Sequence, residues 1–547
     1  MGRMIRRIIS LLLVVLLLFL SGCSTPQKTY FQEVWREEVK FSEIKYEHYD
    51  RAPFDLCLKK IYEIAENGGT REEFSDADYN LWVELEYVCT LTQLAELKMT
   101  SDPTNEMFAE EYQYISELYL ELYDEYWLAL HTMAISENKR LMTGAYHGSY
   151  IQWFEEYVPY SDEENELLGY DKESQLIREY YALMEEKTPD EERIGEIFCE
   201  LIKLRNQQAE LFEVGNYAEY AYGSFYGRDY LPQDSEKIWR GVKEYFVPIY
   251  QQHRDEANRH LQILLEAEDL DCSPEAIINA LGNVIDDVSP EMNRAFAFMK
   301  EHELYDIAPD EKKSEMGYTV RLYSYNLPYI FNAASGEFYD YMSMIHEFGH
   351  FTNTFYTESN FLFGISDLDI SELQSQGLEV IMTHYYADIF GEKYEDAARY
   401  YVLISLISNL IDAALFDEFQ QTVYAQENLT PEQISEIYRR LYVDYGYEPY
   451  DGYENEWMWV NHNFEMPFYY ISYGISALGA LELYELSCES LEKGIDKYLT
   501  VCAADSEAFY YSELLKTVGM SDVFDTDGYR SIAEMLSDRL AKITVKK

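Results

Sequence analysis

The chain has 547 residues, with 101 Asp and Glu against 43 Lys and Arg, for a formal net charge of −58. Such a charge repels phosphate backbones and anionic headgroups, which excludes nucleic acid as a partner and a body that lies flat on a membrane; the same field could attract cationic peptides. Seven cysteines, none in a C-x-x-C, are too few for a disulfide framework in a chain of this length.

Arg3, Arg6 and Arg7 precede an apolar run from Ile8 to Leu20, which closes on Leu20-Ser21-Gly22-Cys23. Basic residues, a short apolar run and small residues before a cysteine read as a bacterial lipoprotein export signal, too short for an ordinary spanning helix. The expectation is a signal peptide over 1–22, lipidation of Cys23, a tether over 23–30, and a body held by lipid alone at the extracytoplasmic face of a bacterial cell membrane. Processing would remove three arginines and no acid, taking the charge from −58 to −61. The remaining cysteines, Cys57, Cys89, Cys199, Cys272, Cys488 and Cys502, read as small buried hydrophobes, with Cys488 and Cys502 near enough in sequence to pair.

The body reads as mainly α. Leu81 to Lys98 and Glu106 to Met133, split by Ser101-Asp102-Pro103, form a predicted helical hairpin rich in Glu and Tyr. Four helix entrances share a hydroxyl residue, a proline and an acid: Thr188-Pro189-Asp190, Ser273-Pro274-Glu275, Ser289-Pro290-Glu291 and Thr430-Pro431-Glu432. Each offers a capping oxygen, a proline whose missing N–H costs nothing at the first helical position, and a negative charge at the positive end of the helix dipole. Strand character is confined mainly to Tyr318–Tyr323 and Pro328–Asn332.

Next comes His346-Glu347-Phe348-Gly349-His350. In a helix, positions i and i+4 share a face one turn apart, so two imidazoles can reach one metal while the glutamate beside the first faces the attacking water. Tyr341, Met342, Ile345, Phe348 and Phe355 recur at helical spacing around them, so the helix is predicted to be mostly buried, with Gly349 allowing close approach of another backbone or the metal. A catalytic zinc keeps three protein ligands and one open position. Glu372 is the best candidate for the third, on a predicted helix over Ser371–Glu379 that places Glu372 and Glu379 two turns apart on one face, so that one binds metal while the other orients a histidine. Metal-free hydrogen-bonded core histidines are the competing interpretation.

The motif, followed by Asp369-Ile370-Ser371-Glu372-Leu373-Gln374-Ser375-Gln376-Gly377-Leu378-Glu379, resembles the thimet oligopeptidase and oligoendopeptidase F family of zinc metallopeptidases. Arg205-Asn206-Gln207-Gln208-Ala209 with Gly215-Asn216-Tyr217-Ala218-Glu219-Tyr220 is similar to the start of that family's catalytic domain, and Pro328-Tyr329-Ile330-Phe331-Asn332 to the strand before its metal helix. Near the C-terminus, His462 and Pro467-Phe468-Tyr469-Tyr470-Ile471-Ser472-Tyr473-Gly474 resemble its histidine and paired tyrosines. His462 lies about one residue further upstream than the pattern, and Asn353 stands where the family tends to have another histidine.

The resemblance implies a two-lobed helical zinc-peptidase fold with a deep substrate channel and a small β-sheet beside the metal helix. It implies an N-terminal helical region over 31–203 and a catalytic domain over 204–547. One Zn2+ would be held by His346, His350 and Glu372, with Glu347 as general base and Tyr473, assisted by Tyr469 or His462, hydrogen-bonding the oxyanion. The strand Pro328–Asn332 would pair with an extended peptide, and Gly474 would let its segment move or pack against substrate. The implied function is hydrolysis of internal bonds in short unfolded peptides. A zinc carboxypeptidase or dipeptidyl carboxypeptidase, with a channel cation such as Arg321, and an inactive peptide-binding lipoprotein are the alternatives. Oligomeric state is open.

Overall fold

The computed structural model describes residues 29–543 apart from 159, 160, 162, 163, 165, 166, 185, 315 and 360–365. The export signal and Cys23 therefore lie outside the described residues. The fold is mainly helical with one small sheet, as expected. Its N-terminal part contains α1 (Arg71–Ser101) and α2 (Glu106–Ile135), which pack on each other as the predicted hairpin, with α3 (Glu191–Leu211) further along. Then follow α4 (Pro274–Val288), α5 (Pro290–Glu301), strands β1 (Tyr305–Asp306), β2 (Gly317–Leu322) and β3 (Leu327–Asn332), and α6 (Tyr339–Tyr356) with the histidine motif. Helices α7 (Leu368–Met382), α8 (Glu395–Tyr424), α9 (Pro431–Asp444), α10 (Ile471–Glu489) and α11 (Leu491–Cys502) complete the part of the fold around the site.

Three of the four proline entrances cap as predicted. Ser273, Ser289 and Thr430 accept hydrogen bonds from first-turn amides of α4, α5 and α9, each with proline at the start of the helix. Thr188 does not cap: α3 begins at Glu191 and its N-cap is Asp190, which accepts from the Arg193 amide at 3.1 Å. A carboxylate is the stronger acceptor at the positive end of a helix, so the chain starts the helix behind the acid.

The sheet order β1-β3-β2 corrects the expectation for substrate pairing. β3 pairs with β1 in parallel and with β2 antiparallel, and all six of its residues are buried. Both of its edges are therefore used, and Pro328–Asn332 cannot add a peptide strand. β2 and the two-residue β1 are each paired on one side only, and β2 is the longer edge.

Residues 30–40 run without helix or strand along the sheet and the end of α6, and a short 3-10 turn, Phe41–Glu43, follows. Phe31 stacks on Tyr356 at 4.5 Å, the Arg36 guanidinium lies 3.6 Å over Phe355 and donates to its carbonyl, and Phe41 stacks on Tyr329 at 3.9 Å. All six cysteines of the described residues are free thiols, Cys488 and Cys502 included. No helix among the described residues is long and apolar enough to cross a membrane.

Between α1 and α2, burial pushes the Asp78 carboxyl up to about 7, against the hydroxyls of Tyr146, which donates at 2.8 Å, and Tyr126. Its pKa is about 3.9 in the unfolded chain, so the native state alone holds this proton between about pH 4 and 7. The stability from the neutral carboxyl is complete below pH 4 and is lost as pH rises through 7. Asp78→Asn, which keeps the shape without the titration, should raise Tm at pH 8 by about 2 to 5 °C and change little at pH 4. An equal shift at both pH values, read by thermal unfolding, would contradict this.

Candidate functional site

Helix α6 buries Tyr341, Ile345, Phe348, Phe351 and Phe355 in the core and turns His346 and His350 towards a cleft. It crosses α7 at Gly349. A Cβ there would lie 2.6 Å from the Ser375 Cα and 2.9 Å from the Gln374 carbonyl oxygen, so only glycine permits this crossing. Backbone contact carries Glu372, one turn before Ser375, to the two histidines. His346 Nε2 is 3.4 Å and His350 Nε2 4.0 Å from Glu372 Oε2, and the candidate ligand atoms of the three residues all lie within 4.8 Å of one another.

Two nitrogens and a carboxylate oxygen suit a borderline-soft divalent cation such as zinc. The structure adds a second sign of fit: Glu372 Oε2, a buried acceptor, has no hydrogen-bond partner among the described residues. Buried carboxylate oxygens are nearly always satisfied, and a cation at this point would satisfy this one.

Glu379 accepts from, or shares a proton with, His346 Nδ1 at 2.7 Å, which leaves Nε2 facing Glu372. Burial alone would lower the His346 pKa, but the nearby carboxylates of Glu372 and Glu379, the latter hydrogen-bonded to Nδ1, raise it well above the ordinary histidine value. Burial wins at His350, whose pKa is lowered. Glu372 is held below the usual carboxylate range, since the histidines and Tyr469 outweigh its burial. A cation bound at these atoms displaces the proton on His346, so uptake releases a proton.

Asp369 is removed from this centre. It is buried, accepts from the Tyr230 hydroxyl at 2.7 Å and faces Arg228 Nε at 3.7 Å. Arg228 also donates to Ser472 Oγ at 2.7 Å and lies 4.6 Å over the rings of both Tyr222 and Tyr226. It thus joins the start of α7, three residues before Glu372, to the start of α10, one residue before Tyr473. Sequence reading missed Arg228, for which no local spacing gives a signal.

Thr319 on β2 was missed as well. Its hydroxyl donates to Glu347 Oε2 at 2.7 Å and lies 3.2 Å from the Glu347 carbonyl oxygen, which fixes the carboxylate's direction. The inward alternation along β2 was the available clue.

Tyr469 and Tyr473 line the same cleft as His346, Glu347, His350 and Glu372. Tyr469 donates to Glu372 Oε1 at 3.0 Å, and its ring lies 5.2 Å from that of Tyr473. Burial, reinforced by Glu372, raises both phenol pKa values and keeps them as donors. His462 sits behind them, 5.3 Å from the Tyr469 ring and 6.1 Å from the Tyr473 ring, and is not among the residues lining the cleft. Burial lowers its pKa, so it is neutral, and its Nδ1 has no hydrogen-bond partner among the described residues. Gly474 packs against Ala413 of α8, 2.6 Å from a notional Cβ, and not against the cleft, which corrects the expectation of a mobile or substrate-facing glycine. Asn353 donates to the carbonyls of Cys502 and Ala504, fastening α6 to the end of α11.

The cleft has a volume of about 510 Å³ and includes Gln93 of α1 on its wall. A larger groove of about 1210 Å³, around Tyr30 and the acids of α10 and α11, contains none of the histidine cluster.

Glu379→Gln removes the anion that orients His346 and should weaken zinc binding by about 10- to 100-fold with the fold retained. Competition with a chelating dye measures it, and unchanged affinity would remove Glu379 from the site.

Comparisons agree with this geometry. Over 257 residues, 44% of this chain, the sequence is 23% identical to oligopeptidase PepF of Bacillus subtilis (strain 168), and the match spans only 37% of that relative's length. The fold is similar to a structure of PZ peptidase A with an inhibitor, at TM-score 0.75 and 22% identity over 93% of this chain and all of that one. It is also similar to oligoendopeptidase F from Enterococcus faecium, at TM-score 0.56 and 15% identity over 90% of this chain and 96% of that one. The family model for Peptidase family M3 matches residues 285–504, the stretch from the end of α4 to just beyond α11 that contributes His346, Glu347, His350, Glu372, Tyr469 and Tyr473 to one cleft.

Proposed function

We propose that the protein is a zinc-dependent oligopeptidase that hydrolyses internal bonds of short unfolded peptides. The observation that carries this reading is the convergence of His346, His350 and the otherwise unsatisfied Glu372 Oε2 beside Glu347, in one cleft of about 510 Å³. The match to Peptidase family M3 supports it.

Zinc held by His346, His350 and Glu372 would supply a Lewis acid for the scissile carbonyl and for water. Glu347 takes the proton of the attacking water and returns it to the leaving amine, its carboxylate aimed by Thr319. Tyr473, a protonated phenol on the cleft wall, donates to the oxygen on which charge develops. Tyr469 steadies Glu372, and His462 supports the two tyrosine rings from behind. The edge of β2, with Gly317–Arg321 on the cleft wall, offers unpaired backbone to an extended peptide.

Glu347→Gln should keep zinc and fold yet lose several orders of magnitude in kcat. Tyr473→Phe should lower kcat by about 10²- to 10³-fold with KM little changed, while Tyr470→Phe, whose ring packs 5.0 Å from Phe416, should be nearly silent. Near-normal turnover by Glu347→Gln in a peptide-cleavage assay would sink the mechanism, and activity of any kind in the wild type removes the inactive-binder alternative.

We propose further that the body is lipid-anchored at the extracytoplasmic membrane face through Cys23, on the strength of the Arg3-to-Cys23 pattern. Cys23→Ala should abolish labelling by a fatty-acid probe and leave the protein unprocessed or shed. Labelling that persists in Cys23→Ala would place the lipid on another residue.

A further inference from the structure

Among the described residues lining the cleft, Arg321 is the only lysine or arginine; Glu347, Glu358, Glu372, Asp505 and Glu507 line it too. A lone cation in an acidic cleft of a protein this acidic needs a reason. Part of it is structural. Nη1 donates to Asn326 Oδ1 at 2.6 Å and to the Thr357 carbonyl at 2.8 Å, and Nη2 donates to Thr357 Oγ1 at 2.9 Å. These bonds use both protons of Nη1 and one of Nη2, and they fix the plane of the guanidinium against the C-terminal end of α6.

Two protons are left, on Nε and on Nη2. They lie on the same edge of the guanidinium plane, the edge that grips a carboxylate through two parallel hydrogen bonds. No carboxylate of the described residues hydrogen-bonds to this edge; Glu358, Asp505 and Glu507 act on Arg321 only at longer range. Bridging Asn326 and Thr357 needs no such fork, so the anchoring bonds leave the guanidinium's most selective feature directed at something outside the chain.

Its position is set by the two elements that build the site. Thr357, the residue that caps the C-terminal end of α6, lies seven residues past His350, about 10 Å along the helix axis. Arg321 is two residues past Thr319 on the same face of β2, about 7 Å beyond the residue that holds Glu347. An extended peptide advances about 3.5 Å per residue, so a substrate group at Arg321 lies about two to three residues from the bond being cut.

Resting on the oligopeptidase reading, we propose that Arg321 is a specificity-determining residue that binds a substrate carboxylate two to three residues from the scissile bond. That carboxylate is either the C-terminus of a short peptide or the side chain of an Asp or Glu. The protein then prefers peptides with an anion at one fixed distance, although its overall charge would favour cationic ones.

The test uses zinc-loaded full-length protein and peptide twins, one set with free or amidated C-termini at varied distances from the cut, the other with Glu or Gln at single positions. Products are quantified by chromatography with mass identification. In the wild type one carboxylate twin should exceed its neutral twin by about 10- to 100-fold in kcat/KM, mostly through KM, and which set shows it tells the two sources apart. Arg321→Met should bring that ratio to about one, and Arg321→Lys, which keeps the charge without the fork, should leave an intermediate ratio. A wild-type ratio near one for every pair, or a ratio that survives in Arg321→Met, overturns the proposal. Should Arg321→Met not fold, an undiminished ratio in Arg321→Lys does the same. Equal cleavage of all twins leaves the oligopeptidase reading standing, whereas no cleavage of any peptide removes both.

Discussion

The crossing of α6 and α7 at Gly349 is the constraint on which the site depends. Side chains normally hold two helices 8 to 10 Å apart, and at that spacing a glutamate on one reaches histidines on the other only at full extension. With Gly349 against the Ser375 backbone, Glu372 stands beside both imidazoles and Glu379, two turns on, meets the back of His346. One missing Cβ therefore positions both a ligand and the group that orients another. The surrounding core of Phe348, Phe351 and Leu373 makes the close approach permanent, because separating the helices would open voids in a fully buried layer.

Around that crossing the protein has placed charges where burial is expensive and then accounted for nearly all of them. His346 is held by two carboxylates, Glu347 by Thr319, and Asp369 by Tyr230 with Arg228 close by. Two buried carboxylate oxygens have no hydrogen-bond partner among the described residues: Asp369 Oδ1, which faces the Arg228 guanidinium, and Glu372 Oε2, which faces two histidines and is where a cation fits. Orphaned buried acceptors are rare because each costs about 1 to 3 kcal/mol, so one that survives at the meeting point of two histidines reports what the site is built to hold.

Much of this was legible in the sequence wherever the relation between residues is local. His346, Glu347 and His350 are fixed by one turn of helix, Glu372 and Glu379 by two, and Tyr469 and Tyr473 by a four-residue spacing that survives folding. What was not legible depends on partners distant in the chain. That β2 and not β3 is the edge rests on a two-residue strand at Tyr305–Asp306, too short to show any alternation. Thr319 and Arg228 act on Glu347, Asp369 and Ser472, between 28 and 244 residues away, and no periodicity links them. At Thr188 local cues competed, and the stronger acceptor, Asp190, took the helix end.

Arg228 also bears on how such a cleft can work. Its guanidinium is enclosed by Tyr222 and Tyr226, bonded to Ser472 at the head of α10 and set beside Asp369 at the head of α7. Drawing those two helices apart would strand a buried cation among aromatic rings, at a cost of several kcal/mol. The floor that carries the ligands and the wall that carries Tyr473 are in effect riveted together. A peptide that reaches the cleft, one wall of which is Gln93 of α1, therefore meets ligands and a tyrosine already fixed relative to one another.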